Sequence, residues 1–319
     1  MSSSRKKRSK WLDDAARAAW LYYIGGLRQD QIADKFGVSR QKAQRLVSLA
    51  VSEKIVKFRI DHPIAECLDL AEKLKSKYGL SYCEVAPSDG EDSSFGIAQL
   101  AAAKMEKWLK REDPIIMAVG TGRSLRAAVE QLSPMDCSQH KVVSLTGNIS
   151  PDGSAAYYNV IFTLSDIVNV RSFPMPLPVF ASSASEREML HAQQMIRPTL
   201  ALAAKAQVTF VGIGDLTDNA PLVLDGFISK EELAELRQVG AVGEITGRVY
   251  DKGGRFIDGL TNERVASAEL PSTASSLVVA IAKGAVKIEP MRGALTGGLV
   301  NGLITDERTA EALLAEQSR

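Results

Sequence analysis

From about Leu80 onward, short apolar runs alternate with stretches of helical spacing. The runs YCEVAP, PIIMAVG, KVVSLTG, DIVNVRSF, QVTFVGIG, GEITGRVYD, SSLVVAIA and GLVNGLITD have strand length, and several end in glycine. Between them FGIAQLAAAKMEKWLKR, SLRAAVEQL, SEREMLHAQQMIRPTLALAAKA, SKEELAELRQVG and ERTAEALLAEQ read as helices. Strands that alternate with helices indicate an α/β domain with a mostly parallel sheet, because each crossover helix covers a sheet face. No internal repeat and no long low-complexity linker breaks the pattern. The expected class is α/β, with a larger Rossmann-like domain behind a smaller helical one.

The front of the chain obeys a different period. Residues 12–52 read as helices, the first being LDDAARAAWLYYIGG, with Asp13 and Asp14 placed to favour the positive end of a helix dipole. Ala15, Ala18, Ala19, Tyr22 and Tyr23 follow helical spacing, and Gly25–Gly26 ends the run. RQDQIADKFG is a short helix stopped by Gly37, and Ser39 is placed to cap RQKAQRLVSLAVSEK. IVKFRI alternates apolar and basic residues like a short strand, and the pattern changes at His62–Pro63. IAECLDLAEKLKSKYG then reads as a connecting helix. Two domains follow, residues 1–60 and residues 61–319.

The charge divides at the same place. The formal net charge is only +1, but residues 1–60 hold fourteen Lys/Arg against five Asp/Glu, and residues 61–319 hold twenty-five against thirty-three. A piece at +9 is joined to one at −8. Without Arg5, Lys6, Lys7, Arg8 and Lys10 the first piece still carries about +4, so the bias is not confined to the basic tail. Such asymmetry points to nucleic-acid contact by the small domain alone.

Gln29 to Leu46 fits a helix-turn-helix. Ala33 is the small residue that lets the second helix approach, and Gly37 occupies the turn, where positive φ is cheap for glycine. Ile32, Phe36, Val38, Ala43 and Leu46 supply the apolar contacts. The exposed face of the second helix would carry Arg40, Gln41, Gln44 and Arg45, side chains that reach base edges and phosphates in a major groove. Ser39 adds a phosphate contact. The tail RKKRSK either lies along phosphate or the minor groove, or is a solubilising extension.

The large domain carries a second constellation, PIIMAVGTGRSLRAAVEQL. A strand ends at Val119, Gly120-Thr121-Gly122 turns, and a helix begins near Ser124. Backbone N–H groups in such a turn, with the positive helix end, make an anion site. Thr121 and Ser124 offer hydroxyls and Arg123 a charged fork. Neither a Walker A ending nor a third dinucleotide-type glycine follows. Other predicted strand ends place Gly147–Asn148, Gly214–Asp215, Glu244, Gly247, Arg248, Lys283 and Lys287 toward one crevice, since carboxyl ends converge in open α/β sheets. Asp215 or Glu244 would accept from ligand hydroxyls, while Lys287 and the Gly-Thr-Gly turn take an anionic group.

These residues together make the chain recognisable. It resembles the SorC family of bacterial transcriptional regulators, whose effector domain is similar to sugar-phosphate isomerases. The likeness is carried by AAWLYYIGGLRQDQIADKFGVSRQKAQRLVSLA, VGTGRSLRAAVEQL, FPMPLPVFASSASEREML, VGIGDL, GEITGRVYD and MRGALTGGLVNGLITDERTAEALL. It implies an operator-binding helix-turn-helix, a C-terminal domain that senses a sugar, sugar phosphate or polyol, and a homodimer or homotetramer. It places the phosphate loop at Gly120, Thr121, Gly122, Arg123 and Ser124, with further effector contacts at Gly147, Glu244 and Lys287. Three departures border this pocket: Ser124 where threonine is common, Asn148 and Lys283 where glycine is common. WLYYIGGL and LSYCEVAP resemble members that control polyol catabolism, which implies a sugar alcohol such as sorbitol or erythritol, or its phosphate.

The competing expectation is a sugar-phosphate isomerase-like enzyme with an added DNA-binding module, with Asp215 or Glu244 as its base; the basic module then has no role. No cofactor and no metal site is expected, because the three cysteines and three histidines are widely scattered. No apolar run approaches the roughly 18–20 residues that span a bilayer, and MSSSRKKRSKW lacks the apolar core of a secretory signal. The expected location is the cytoplasm, with no membrane partner.

Overall fold

The computed structural model describes residues 2–53, 55–56, 65–88, 94–150, 152–155 and 158–315, with backbone alone for 2–9. The chain packs as two units, Met1–His62 and Pro63–Arg319.

The first unit contains α1 (Ser2–Tyr23), α2 (Gln29–Phe36) and α3 (Arg40–Ser52). Its core is built from small side chains: Ala15, Ala18 and Ala19 of α1 meet Ile32 and Ala33 of α2 and Ala43, Leu46, Val47 and Ala50 of α3. Helix α1 starts at Ser2, so Asp13 and Asp14 lie in mid-helix. The dipole role expected for them does not apply, since that effect fades within the first turn. Tyr22 and Tyr23, which continue the same helical spacing, are partly exposed near the helix end. The strand expected over IVKFRI lies largely outside the described residues, as does the change at His62–Pro63.

In the second unit α4 (Ala65–Tyr78) leads into β1 (Tyr82–Ala86), α5 (Ser94–Leu109), β2 (Ile116–Val119) and α6 (Arg123–Val129). Then come β3 (Met135–Ile149), α7 (Val160–Ile167), β4 (Val168–Pro178), α8 (Ala184–Ala192), α9 (Arg197–Ala203), β5 (Val208–Val211) and β6 (Gly214–Asp215). The chain continues through α10 (Pro221–Leu224), α11 (Lys230–Gln238), β7 (Ala241–Ile245), β8 (Arg248–Asp251), β9 (Leu277–Ile281), α12 (Ile288–Thr296), β10 (Gly302–Asp306) and α13 (Glu307–Leu314).

Seven strands form one sheet in the order β1-β10-β9-β5-β2-β3-β4, all neighbours parallel. Apolar clusters cover both faces, which is why its strands read as continuous apolar runs. After β2 the chain works outward through β3 and β4, then returns to place β5 on the other side of β2. The switch point therefore lies between β2 and β5. Strand β4 forms an edge and carries Pro174, Pro176 and Pro178.

Two expected elements are divided. GEITGRVYD is a hairpin rather than one strand: β7 and β8 turn at Thr246–Gly247, both at positive φ, and form a small antiparallel sheet with β6. The long helix expected over SEREMLHAQQMIRPTLALAAKA breaks between α8 and α9, where Gln193 is extended (ψ 135°) and Pro198 sits in the first turn of the next helix. The small sheet and α11 have an apolar cluster of their own, built on Leu216, Leu222, Ile228, Leu233, Leu236, Ala241 and Val249.

Candidate functional site

In the first unit the helix-turn-helix geometry is explicit. Gly37 ends α2 at φ 61°, ψ 39°, and the Val38 N–H donates to the Ala33 carbonyl at 3.0 Å. Ser39 is the N-cap of α3, its Oγ accepting from the Lys42 N–H at 3.3 Å. The buried face of α3 takes Ala43, Leu46, Val47 and Ala50, which turns Arg40, Gln41, Gln44 and Arg45 outward together with Ser39. All five proposed DNA-contact residues are exposed. Among the described residues neither Arg40 nor Arg45 is held in an ion pair.

The second unit contains a cavity of about 370 Å³ at the carboxyl ends of the parallel strands. The turn after β2 supplies Thr121, Gly122, Arg123 and Ser124; the end of β3 supplies Thr146 and Gly147. Gly212, Ile213 and Gly214 follow β5, and Lys283 and Lys287 follow β9. Glu244, Thr246 and Gly247 of the hairpin close one side, with Leu222, Asp225 and Phe227 from the segment around α10. The loops after β2 and β5 thus meet at the switch point of the sheet, where α/β folds bind ligands.

Local backbone explains the shape. Gly122 caps α6 at φ 125°, ψ 163° with no side chain over the first-turn N–H groups. A Cβ there would meet nothing within 4 Å. Gly147 is glycine for a different reason: a Cβ would lie 2.4–2.6 Å from backbone atoms of Leu177 and Pro178, where β3 and β4 pair irregularly. Thr246 holds φ 53°, unusual for a β-branched residue, with its hydroxyl donating to the Ile245 carbonyl at 2.7 Å. Such strain costs on the order of 1–3 kcal/mol and gathers at ligand clamps.

Glu244 is the central carboxylate. Its Oε2 accepts from the Gly247 N–H at 2.7 Å, and its other oxygen lies over the Cα of Gly214, where any Cβ would collide with it. Burial pushes its pKa up; the Gly247 bond and Lys287 oppose that, and Asp215 adds to it. Burial pushes Lys287 down, Glu244 and Asp215 pull it up, and Arg123 pushes it down again. These four groups form one electrostatic set. Three cations (Arg123, Lys283 and Lys287) and two carboxylates (Asp225 and Glu244) line the cavity. An excess of cations around hydroxyl-accepting carboxylates suits a polyhydroxy ligand with an anionic group.

Seven of the ten expected effector residues line this cavity: Thr121, Gly122, Arg123, Ser124, Gly147, Glu244 and Lys287. Gly120 lies behind the wall, its N–H donating to the Phe210 carbonyl at 2.8 Å. It borders a much smaller adjacent cavity, as does Asn148. Asp215 is buried with its Oδ1 accepting from the Thr217 N–H and hydroxyl (3.1 and 2.6 Å), so it acts on Glu244 and Lys287 only through space. The Thr121 hydroxyl proton goes to the Tyr158 carbonyl at 2.7 Å. Tyr158, Thr146, Asp225 and Phe227 were not singled out in the sequence, because they come from loops or strand interiors without a motif. Among the described residues no group of three or more His, Cys, Asp and Glu could hold a metal ion.

Comparison with known proteins bears on both units. Residues 62–315 match the family model described as "Putative sugar-binding domain". The chain belongs to the SorC family of transcriptional regulators. It is 34% identical over 304 residues to the erythritol catabolism regulatory protein EryD of Brucella abortus, covering 95% of this chain and 96% of that protein. It is 31% identical over 310 residues to the transcriptional regulator LsrR of Escherichia coli K12, covering 95% and 94%. The full-length sorbitol operon regulator SorC of Klebsiella pneumoniae superposes with a TM-score of 0.72 at 27% identity, over 94% of this chain and 98% of that one. The mixed α/β class with a mainly parallel sheet is thus shared by structure as well as by sequence. Among the described residues no helix is long and apolar enough to cross a membrane.

Proposed function

We propose that this protein is a DNA-binding transcriptional regulator of a carbohydrate or polyol catabolic operon. Ser39, Arg40, Gln41, Gln44 and Arg45 contact double-stranded operator DNA, and a sugar, sugar phosphate or polyol in the 370 Å³ cavity controls that contact. The reading is carried by one observation: a cation-rimmed cavity at the switch point of the sheet, in a chain that also presents an exposed basic recognition helix. The effector takes its hydroxyls to Glu244 and its anionic group to the Gly122–Ser124 turn with Arg123 and Lys287. A sugar-alcohol phosphate fits this division in full and a free sugar alcohol fits its hydroxyl half, and relatives are named for erythritol catabolism and the sorbitol operon. The working form is a homodimer or homotetramer in the cytoplasm, because paired helix-turn-helix units read half-sites about one helical turn apart.

The protein works without enzymatic turnover. Of the two carboxylates considered as a base, Asp215 is turned to Thr217, and only Glu244 of that pair lines the cavity.

The test is a thermal-shift screen of erythritol, sorbitol and their phosphates, followed by anisotropy of labelled DNA from upstream of the gene. A ligand at one hundred times its Kd stabilises the folded state by about 2.7 kcal/mol, or roughly 5–11 °C for a unit of this size. The same ligand should change DNA affinity. If none of these compounds, nor other sugars and sugar phosphates, moves either readout, the effector assignment is wrong.

A further inference from the structure

Behind the hairpin wall of the cavity lies a second group of polar side chains. Thr246 and Gly247 line the cavity, but the next residue, Arg248, does not. It is only 9% exposed, and its Nη2 donates to the Ser267 carbonyl at 2.8 Å. Its Nε has no partner. Three further buried polar atoms without partners lie on segments that pack with β8 or with one another: Nε of Arg187 on α8, Oγ1 of Thr261, and Oγ of Ser267, whose carbonyl Arg248 holds.

These residues are gathered by packing. The 3-10 turn Leu260–Arg264, which carries Thr261, packs on both α8 and β8. Asn262 locks it to β8, accepting from the Val249 N–H and donating to the Val249 carbonyl, each at 2.8 Å. One helical turn after Arg187, and so on the same face of α8, His191 meets the carbonyl of Ala266 at 2.9 Å, next to Ser267. Leu260 opens the 3-10 turn at φ 50°, a strained conformation for a leucine.

An orphaned buried polar group costs about 1–3 kcal/mol, and more when charged; folded proteins satisfy nearly all of them. Here two orphans are guanidinium nitrogens, which only donate, and two are hydroxyls, which can donate. Burial depresses the Arg248 pKa first and Arg187 depresses it further, with Glu269 opposing. The two guanidiniums therefore sense each other, and the opposing carboxylate, Glu269, sits on an exposed position.

We infer that Arg187, Arg248, Thr261 and Ser267 form a second anion site, separate from the effector cavity, that takes a small oxyanion such as inorganic phosphate. The guanidinium nitrogens donate to oxyanion oxygens and the hydroxyls complete the shell. Because Arg248 follows Gly247 directly, occupancy of this site braces the wall that carries Glu244, Thr246 and Gly247. The site thus gives the protein a second chemical input.

The test uses the full-length protein, with phosphate titrated against chloride at constant ionic strength and read by calorimetry and thermal shift. The wild type should show a saturable phosphate response. Arg187→Gln, on a half-buried surface position, should weaken phosphate affinity at least tenfold while keeping the wild-type melting temperature in chloride. Ser267→Ala should weaken it less. Arg123→Ala, in the effector cavity, should leave this affinity within twofold. If phosphate binding instead follows Arg123 and ignores Arg187, the anion sits in the effector cavity and the inference fails. If no saturable response is seen, the four groups hold water only and the inference fails. Loss of the effector response with the phosphate response intact would count against the proposed effector, not against this site.

Discussion

Gly214→Ala isolates the role of Glu244 without touching its carboxylate. A Cβ on residue 214 would sit 2.0 Å from Oε1, 2.7 Å from Cδ and 2.8 Å from Cγ of Glu244. Ordinary contact begins near 3.4 Å, so the carboxylate must retreat by about 1.4 Å, the difference between those two distances. The strain falls on the end of a flexible side chain, and residue 214 is not at positive φ, so the fold should persist. The retreat breaks the 2.7 Å bond from the Gly247 N–H and removes the acceptor from its place in the cavity. One hydrogen bond to a charged group is worth about 1.5–3 kcal/mol, so effector affinity should fall about 10- to 150-fold. Calorimetric titration with the effector found by screening measures this, with operator binding in the absence of effector as the control. An affinity within twofold of wild type, in a variant whose melting temperature is unchanged, would refute the reasoning: Glu244 would then not contact the ligand.

Arg40→Ala and Arg45→Ala should each weaken operator binding by roughly 1–3 kcal/mol if a base contact is lost, with effector binding unchanged; anisotropy at fixed salt decides, and unaltered affinity removes the recognition-helix assignment. Glu244→Gln tests the pKa directions. A carboxyl whose pKa is raised by folding stabilises below its ordinary range and loses that contribution as pH rises through the raised value. The wild type without effector should therefore lose stability across that window, and Glu244→Gln should be flatter and more stable above it, measured by urea unfolding from pH 4 upward; parallel curves would overturn the burial argument. Gly147→Ala places a Cβ 2.4–2.6 Å from backbone that cannot yield. It should cost on the order of 1–3 kcal/mol, as overpacking does, and a neutral effect would mean that the end of β3 moves freely from β4.

Much of this was legible in sequence because parallel strands buried on both faces write themselves as unbroken apolar runs. PIIMAVG and QVTFVGIG gave β2 and β5, and with them the two loops that meet at the switch point. The turn glycines were equally plain, but not their separate reasons: Gly122 needs positive φ, Gly147 needs room, and Gly120 needs neither. The hairpin in GEITGRVYD was hidden because its turn uses Thr246 at positive φ, a residue that ordinarily marks strands. The α8–α9 break was hidden because apolar spacing continues across Gln193 to Ile196. Asp215 looked like a cavity residue from its strand-end position, yet Thr217 two residues later captures its carboxylate. Phe227 and Asp225 reach the cavity from a loop beyond the strand-end pattern.

The three prolines of β4 bear on how copies of this protein can join. Pro174, Pro176 and Pro178 alternate, so all three occupy the same side of the strand. The residue next along, Val179, donates inward to the Ile149 carbonyl at 3.3 Å, which puts the proline nitrogens on the outward side. Proline has no N–H to donate. Along residues 174–178 the outer rim of the sheet therefore offers acceptors without donors, and a further strand cannot pair regularly with that stretch. This stretch of the rim is a built-in stop against sheet extension.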